Sequence, residues 1–304
     1  MGQYWGMRIL SLLPSATEIV YALGLAEHLV GITEECDWPP QARRVQVVSR
    51  SALPAAAEPA EIDRLVSASV GGGQPIYRLD IDAICDLRPD LVLAQDLCAV
   101  CAVPSGHVNQ ALDVLGCQAE VVSLDPSSLA DVLDGVLQVG KAAGAEQRAH
   151  EVVAGLRERL ARVQAAVAGL ERPRVFALEW GDPPFNGGHW VPEMLQVAGA
   201  EAVLASPGAP SVRVTWEQIA AVAPQVVVFM PCGYDLQAAV EEASRMLLGR
   251  PELAGVEAIV AVDASAYCSR PGPRLVDGVE ILAAALHPGE LPPPPADTAV
   301  RLGR

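Results

Sequence analysis

Along this chain, short unbroken apolar runs take turns with longer stretches in which apolar and polar positions mix. The runs at residues 8–12, 29–33, 91–94 and 120–123 predict strands buried on both faces, as do residues 174–178, 226–230 and 258–262 further on. Between them, residues 15–23 and 129–142 predict helices. Ser15-Ala16-Thr17-Glu18 and Ser128-Leu129-Ala130-Asp131 both have capping-box spacing. Strands taking turns with helices predict parallel sheets covered on both faces.

The pattern occurs twice. MRILSLLPSATEIVYALGLAEHLV (residues 7–30) and PRVFALEWGDPPFNGGHWVPEMLQVAGAEAVL (residues 173–204) each read as strand, turn and helix, with Glu18 and Gly24 matching Glu193 and Gly199 at an offset of 175. ICDLRPDLVLAQDLC (84–98) and IAAVAPQVVVFMPC (219–232) each read as helix end, proline, strand and a cysteine at the tip. A duplicated unit predicts two similar α/β lobes with a ligand cleft between them.

Residues 146–170 carry one apolar seam, Val153, Leu156, Leu160, Val163, Val167 and Leu170. That is a helix of about 36 Å, read as a strut joining the lobes. The pattern spans under four heptads, too short for a coiled-coil dimer. The expected organisation is an N-terminal lobe over residues 7–143, a linker helix over 144–171, a C-terminal lobe over 172–290 and a Pro-rich, extended or disordered tail over 291–304. The expected fold class is α/β, two Rossmann-like lobes with parallel sheets joined by one long helix.

Composition narrows the function. The hydrophobic share is 51% and the aromatic share 4%, which suits Ala/Val/Leu-rich strands and their covering helices. With 21 basic and 37 acidic residues the formal charge is −16, which repels a polyanion and argues against a nucleic-acid partner. No stretch has the length of a membrane span. The start, MGQYWGMRIL, lacks the pattern of an export signal and runs into the first predicted strand, so the expected location is cytoplasmic, or extracytoplasmic if a leader has been removed.

In open parallel sheets ligands bind beyond the carboxyl ends of the strands. The rare aromatics gather there: Trp38, Trp180, Phe185, Trp190, Tyr234 and Tyr267. Taken singly each ring reads as loop packing; as a set they read as the wall of a large, flat or apolar ligand. Ser15, His189 and Arg270 stand in the same loops, and the proline-fixed turn SRPGPRLVDG presents Arg270 and Arg274 to a carboxylate, amide or phosphate, or pairs Arg274 with Asp277 or Glu280.

Five cysteines also fall at the strand ends: Cys36, Cys98, Cys101, Cys232 and Cys268. Cys98-Ala99-Val100-Cys101 is a single CxxC, and with Cys36 and Cys232 it supplies four thiolates, enough for zinc or an iron–sulfur cluster; the alternative is small buried thiols. His107 follows the CxxC and could complete such a shell. No GxSxG, Walker A or HExxH is present, and nothing pairs the carboxylates Glu34, Glu35, Asp37, Glu179 and Asp182 as acid and base.

RILSLLPSATEIVYALGL, VGITEECDWP, LRPDLVLAQ, GHWVPEMLQVAGAEAVL and SRPGPRLVDG, in this order, resemble the cobalamin/iron-siderophore class of ABC-transporter substrate-binding proteins, nearest the cobalamin-binding branch. The resemblance covers nearly the whole chain. It implies two Rossmann-like lobes joined by one helix, a corrinoid or similar chelate as ligand, an ABC permease as partner, and ligand contacts from the loops holding Ser15, Trp38, Trp180, Trp190 and Tyr267. The start, read as carrying no leader, and the strand-end cysteines are expected departures from that class. Three readings follow: a binding protein for cobalamin, another corrinoid or a similar chelate; a cytosolic zinc or iron–sulfur protein using Cys36, Cys98, Cys101 and Cys232; and a thiol redox or transfer enzyme.

Overall fold

The computed structural model of the chain describes residues 6–52, 61, 62, 64–66, 68, 76–95 and 119–303. The chain divides into two compact units. The first comprises Met1–Pro126 with Asp131–Ala154, the second Ser127–Ala130 with Gly155–Arg304.

The first unit contains β1 (Ile9–Ser11), helix α1 (Pro14–Ala22), β2 (Leu29–Thr33), β3 (Gln46–Ser51), β4 (Tyr77–Leu79), α2 (Ile81–Leu87), β5 (Leu91–Ala94) and β6 (Glu120–Ser123). Helix α3 (Leu129–Ala142) follows, and then α4 (Glu146–Val167), a continuous helix in which the unit boundary falls between Ala154 and Gly155. The sheet runs β4-β3-β2-β1-β5-β6. All its pairs are parallel except the edge pair β3–β4. The central strands explain their apolar runs: every residue of β1 and β5 is buried. Leu10, Leu12, Val48, Ile84, Val92 and Ala94 close the core on one face.

The second unit contains β7 (Arg174–Gly181), β8 (Pro184–Asn186), α5 (Val191–Val197), β9 (Glu201–Ala202), α6 (Trp216–Ala221), β10 (Val226–Phe229), α7 (Leu236–Met246), β11 (Ala258–Val262), the short α8 (Ala264–Tyr267), α9 (Leu275–Leu286) and β12 (Ala299–Leu302). Its sheet runs β12-β11-β10-β7-β8, with β9 also on β7. β7, β10 and β11 pair in parallel, while β8 and β12 are antiparallel. Phe176, Leu178, Val227, Phe229, Ile259 and Ala261 fill the core face against α7.

Two expectations change here. The sheets are parallel at their centres, but the edge strands β4, β8 and β12 pair antiparallel. The Pro-rich tail does not trail away: Ala299–Leu302 returns along β11, pairing Ile259 with Leu302 and Val262 with Ala299.

The repeat is visible in backbone detail. After α1, Gly24 at φ +75° donates to Tyr21 and Leu25 donates to Val20; after α5, Gly199 at φ +84° donates to Gln196 and Ala200 to Leu195. Both are Schellman closures, whose left-handed residue is strained for anything but glycine. Gly199 is also pressed close, since a Cβ there would stand 2.7 Å from His287 Nε2. The capping box read at Ser15–Glu18 does not form. Pro14 opens α1, Leu13 is its N-cap without a side-chain bond, and Ser15 and Glu18 are buried inside the helix. Proline suits that first position because its missing N–H would have no helical partner there.

Candidate functional site

In each unit the strand order reverses at one place. β1 has β2 on one side and β5 on the other, and β7 has β9 on one side and β10 on the other. The ends of strands at such reversals are where open α/β sheets leave room for ligands.

At the first unit's reversal the side chains form a buried hydrogen-bond chain. Ser11 donates to the Leu13 carbonyl at 2.9 Å, the Thr17 hydroxyl lies 2.8 Å from Ser11 Oγ, and Cys36 Sγ lies 3.0 Å from that same Thr17 hydroxyl. With Ser11 and Thr17 each passing its proton down the chain, the Cys36 thiol is left to donate to Thr17. Ser15 and Cys36 are each 2% exposed, so both serve the packing beneath the strand ends. Glu34 ties β2 to β3, accepting from the Ser51 N–H at 2.5 Å and facing Arg50 at 3.4 Å. Trp38 is different: it is 44% exposed, the most open aromatic side chain among the described residues.

The second unit's strand ends are richer. Glu179 accepts from the Ser211 hydroxyl at 2.5 Å, from the Gly188 N–H at 3.3 Å and from the Cys232 thiol at 3.5 Å. Trp180 meets Tyr234 edge to face at 6.0 Å between ring centres, and its indole N–H is held by the Asp182 carbonyl. Arg213 lies over Phe185, and Arg274 over Tyr267 at 4.8 Å. Such contacts hold a guanidinium cation against the electron-rich face of a ring. Asp263 caps α8 through the Ala266 N–H. Its carboxyl is pushed above the usual range, first by burial and also by Asp235, while Arg274 and Arg270 pull the other way. The Cys268 thiol is pushed up to about 12, mainly by burial, then by Asp263 and Glu179.

The sequence-derived candidates therefore separate. Trp180, Phe185, Tyr234, Tyr267 and Arg270 stand partly exposed at the second unit's strand ends. Trp190 is only 7% exposed and its indole N–H donates to the Cys268 carbonyl at 2.8 Å, which makes it an internal packing ring. His189 holds a left-handed backbone at φ +52°, fixed by bonds to Ala209 and Gly208, with its ring 5.7 Å from that of Trp190. Arg274 stacks on Tyr267, while Asp277 and Glu280 both engage Arg159 of α4.

For the zinc or iron–sulfur reading, Cys98, Cys101 and His107 lie outside the described residues. Among the described residues no three His, Cys, Asp or Glu side chains gather as a metal site, and neither Cys36 nor Cys232 belongs to such a group. Sequence reasoning missed the gathering role of Glu179 and the part of Ser211. The signal available was a lone acidic residue leaving a buried strand at the chain reversal.

Comparison with known proteins places the fold. The chain is 28% identical over 289 residues to an ABC transporter substrate-binding lipoprotein, YvrC, of Bacillus subtilis strain 168, covering 92% of this chain and 80% of that one. It is 25% identical to the vitamin B12-binding protein of Vibrio cholerae, covering 90% and 86% of the two chains. Among solved structures, the periplasmic vitamin B12 binding protein BtuF of V. cholerae aligns with a TM-score of 0.67 at 23% identity, over 92% of this chain and 96% of that one. A periplasmic heme binding protein of Pseudomonas aeruginosa aligns at 0.70 and 22% identity, over 95% and 96%. These two structural likenesses concern the fold. Among the described residues no helix is long and apolar enough to cross a membrane. A family model described as periplasmic binding protein matches residues 9–261, and the chain belongs to that family.

Proposed function

We propose that this protein is the substrate-binding component of an ABC transporter and that its ligand is a corrinoid or a related metal-chelate macrocycle. The observation that carries the reading is the aromatic surface at the strand ends. Among the described residues Trp38 is the exposed ring of the first unit, and the Trp180–Tyr234 pair, with Phe185 and Tyr267 under their arginines, forms that of the second. Rings of this kind bury much area with little loss of side-chain freedom, and they suit a flat, largely apolar macrocycle better than a small polar solute. The B12-binding names of the sequence relatives support the same class. The strand-end carboxylates Glu34 and Glu179 accept hydrogen bonds from Ser51 of β3 and from Ser211.

Absorbance titration of the full chain with cyanocobalamin, hemin and a ferric hydroxamate tests the class. A saturable spectral change with cyanocobalamin supports the corrinoid. Saturation with hemin or the hydroxamate alone moves the ligand within the chelate class, and three flat titrations overturn the proposal. Trp38→Ala and Trp180→Ala each remove one ring, which at roughly 1–1.5 kcal/mol weakens binding about tenfold. Unchanged affinity in both variants removes the aromatic wall from the account.

A further inference from the structure

Glu179 follows the four buried residues 175–178 of β7, at the reversal of the second unit's sheet. Its carboxylate gathers three segments that are far apart in sequence. One oxygen accepts from Ser211 at 2.5 Å and from the Gly188 N–H at 3.3 Å; the other accepts from the Cys232 thiol at 3.5 Å. Gly188 N–H also lies 3.1 Å from Ser211 Oγ, so these two donors and the carboxylate close on one another. The Cys232 N–H reaches back to the Glu179 carbonyl at 3.3 Å. The gathered segments have no slack, for a Cβ at Gly188 would stand 2.6 Å from the Pro210 carbonyl carbon. Each segment carries a side chain of this face within two residues: His189 beside Gly188, Arg213, which lies over the Phe185 ring, after Ser211, and Tyr234 after Cys232. Trp180, the other half of the ring pair, is the next residue after Glu179 itself.

We propose that Glu179 is the positioning residue of the second unit's ligand face, setting where His189, Arg213 and Tyr234 stand by holding their three loops on one carboxylate. The inference rests on the binding function proposed above. A carboxylate is suited to the task because it only accepts and has room for several donors at once. Cut back to a methyl, it would leave the Ser211 hydroxyl and the Cys232 thiol without this acceptor, and three loops free to drift by different amounts. An amide of the same shape keeps one accepting oxygen for Ser211 and Gly188 but removes the charge beside Cys232. A negative neighbour disfavours the thiolate, which is the reactive form of a cysteine.

The test compares Glu179→Gln and Glu179→Ala with the full wild-type chain by three readouts. These are the iodoacetamide labelling rate of Cys232 in the ligand-free protein, mapped by peptide mass, the cyanocobalamin Kd, and Tm. Buried Cys268 serves as the unreactive control. For Glu179→Ala the expected result is labelling of Cys232 at least tenfold faster and a Kd at least tenfold weaker, with Cys268 still protected. For Glu179→Gln it is faster labelling with a Kd within about threefold of wild type. Ser211→Ala, which releases one loop but leaves the carboxylate charge beside Cys232, is expected to weaken the cyanocobalamin Kd severalfold with little change in Cys232 labelling, and it stands in for the Kd readout if Glu179→Ala does not fold. Labelling and Kd both within twofold in the alanine variants overturn the proposal. So does an equal loss of affinity in Gln and Ala, because the charge itself would then be meeting the ligand. If wild type fails to bind cyanocobalamin, the ligand assignment falls, and the labelling contrast alone decides whether Glu179 holds the loops.

Discussion

Gly278, in the first turns of α9, is the place where a single methyl group tests the packing behind the second unit's ligand face. In an ordinary helix interior, Gly→Ala stabilises by about 1 kcal/mol, because alanine loses less backbone freedom on folding. Here a Cβ would press inside van der Waals contact of the Tyr267 carbonyl oxygen, stand 3.1 Å from its carbonyl carbon and 2.9 Å from Met194 Cε. The methionine end can turn aside, but the Tyr267 carbonyl belongs to the backbone of α8 and cannot. Relief requires α8 and α9 to separate, which strains the bond from Trp190 to the Cys268 carbonyl one residue on. Overpacking of this kind is unfavourable by about 1–3 kcal/mol. Because the obstructing atom is backbone, the upper part of that range applies, and the net change is a destabilisation of about 1–2 kcal/mol. In a unit of this size that lowers Tm by about 2–8 °C. Gly155, exposed in α4, is the counterpart: a Cβ there meets nothing within 4 Å. Gly155→Ala should therefore raise Tm, by about 2–4 °C for a gain near 1 kcal/mol. Scanning calorimetry on both variants reads the two signs. A Gly278→Ala protein as stable as wild type, or more so, would refute the close approach of α9 to α8.

Other consequences are equally direct. Arg159 grips Glu280 through two bonds of 2.9 and 2.6 Å and also engages Asp277, with 29% of its side chain exposed. Arg159→Met should lower stability by about 1 kcal/mol, as expected for a partly solvated ion network, and 1 M salt should shrink the difference between variant and wild type. The Cys268 thiol, raised from 9.0 to about 12 in the folded chain, favours folding fully below pH 9 and loses that contribution as the pH climbs towards 12. Tm should accordingly fall between pH 9 and 11, and Cys268→Ala should flatten that fall; an equal slope in the variant would remove the thiol as its cause. Trp190→Phe leaves the buried Cys268 carbonyl without its indole donor and should destabilise by about 1–3 kcal/mol, read by urea denaturation.

The architecture was largely legible in the sequence because its strands are buried on both faces. Runs such as Leu91–Ala94 and Ala258–Val262 have no polar face to blur them, and their predicted bounds match the structure. The long helix Glu146–Val167 was legible for the opposite reason, a single apolar seam on an otherwise polar helix. Besides Gln46–Ser51, a parallel strand beside β2 whose polar residues hide it, what escaped were strands made by their neighbours. Tyr77–Leu79, Pro184–Asn186 and Ala299–Leu302 have three or four residues each and are held by antiparallel pairing at sheet edges. No periodicity can announce so short a segment. The chemistry was legible only in part. The sequence put Trp180, Tyr234 and Tyr267 at strand ends, where they stand. Whether a ring there opens outward or packs inward depends on its partners, and Trp190 turned inward to meet Cys268. The work of Glu179 depends on loops 32 and 53 residues away at Ser211 and Cys232, and no local spacing encodes that convergence.

The most direct measurement is a calorimetric titration of the full chain with cyanocobalamin. The account predicts one saturable site with a negative heat-capacity change, the mark of apolar surface buried on binding, and a weaker site in Trp38→Ala. No saturable heat with cyanocobalamin, hemin or a ferric hydroxamate would contradict it.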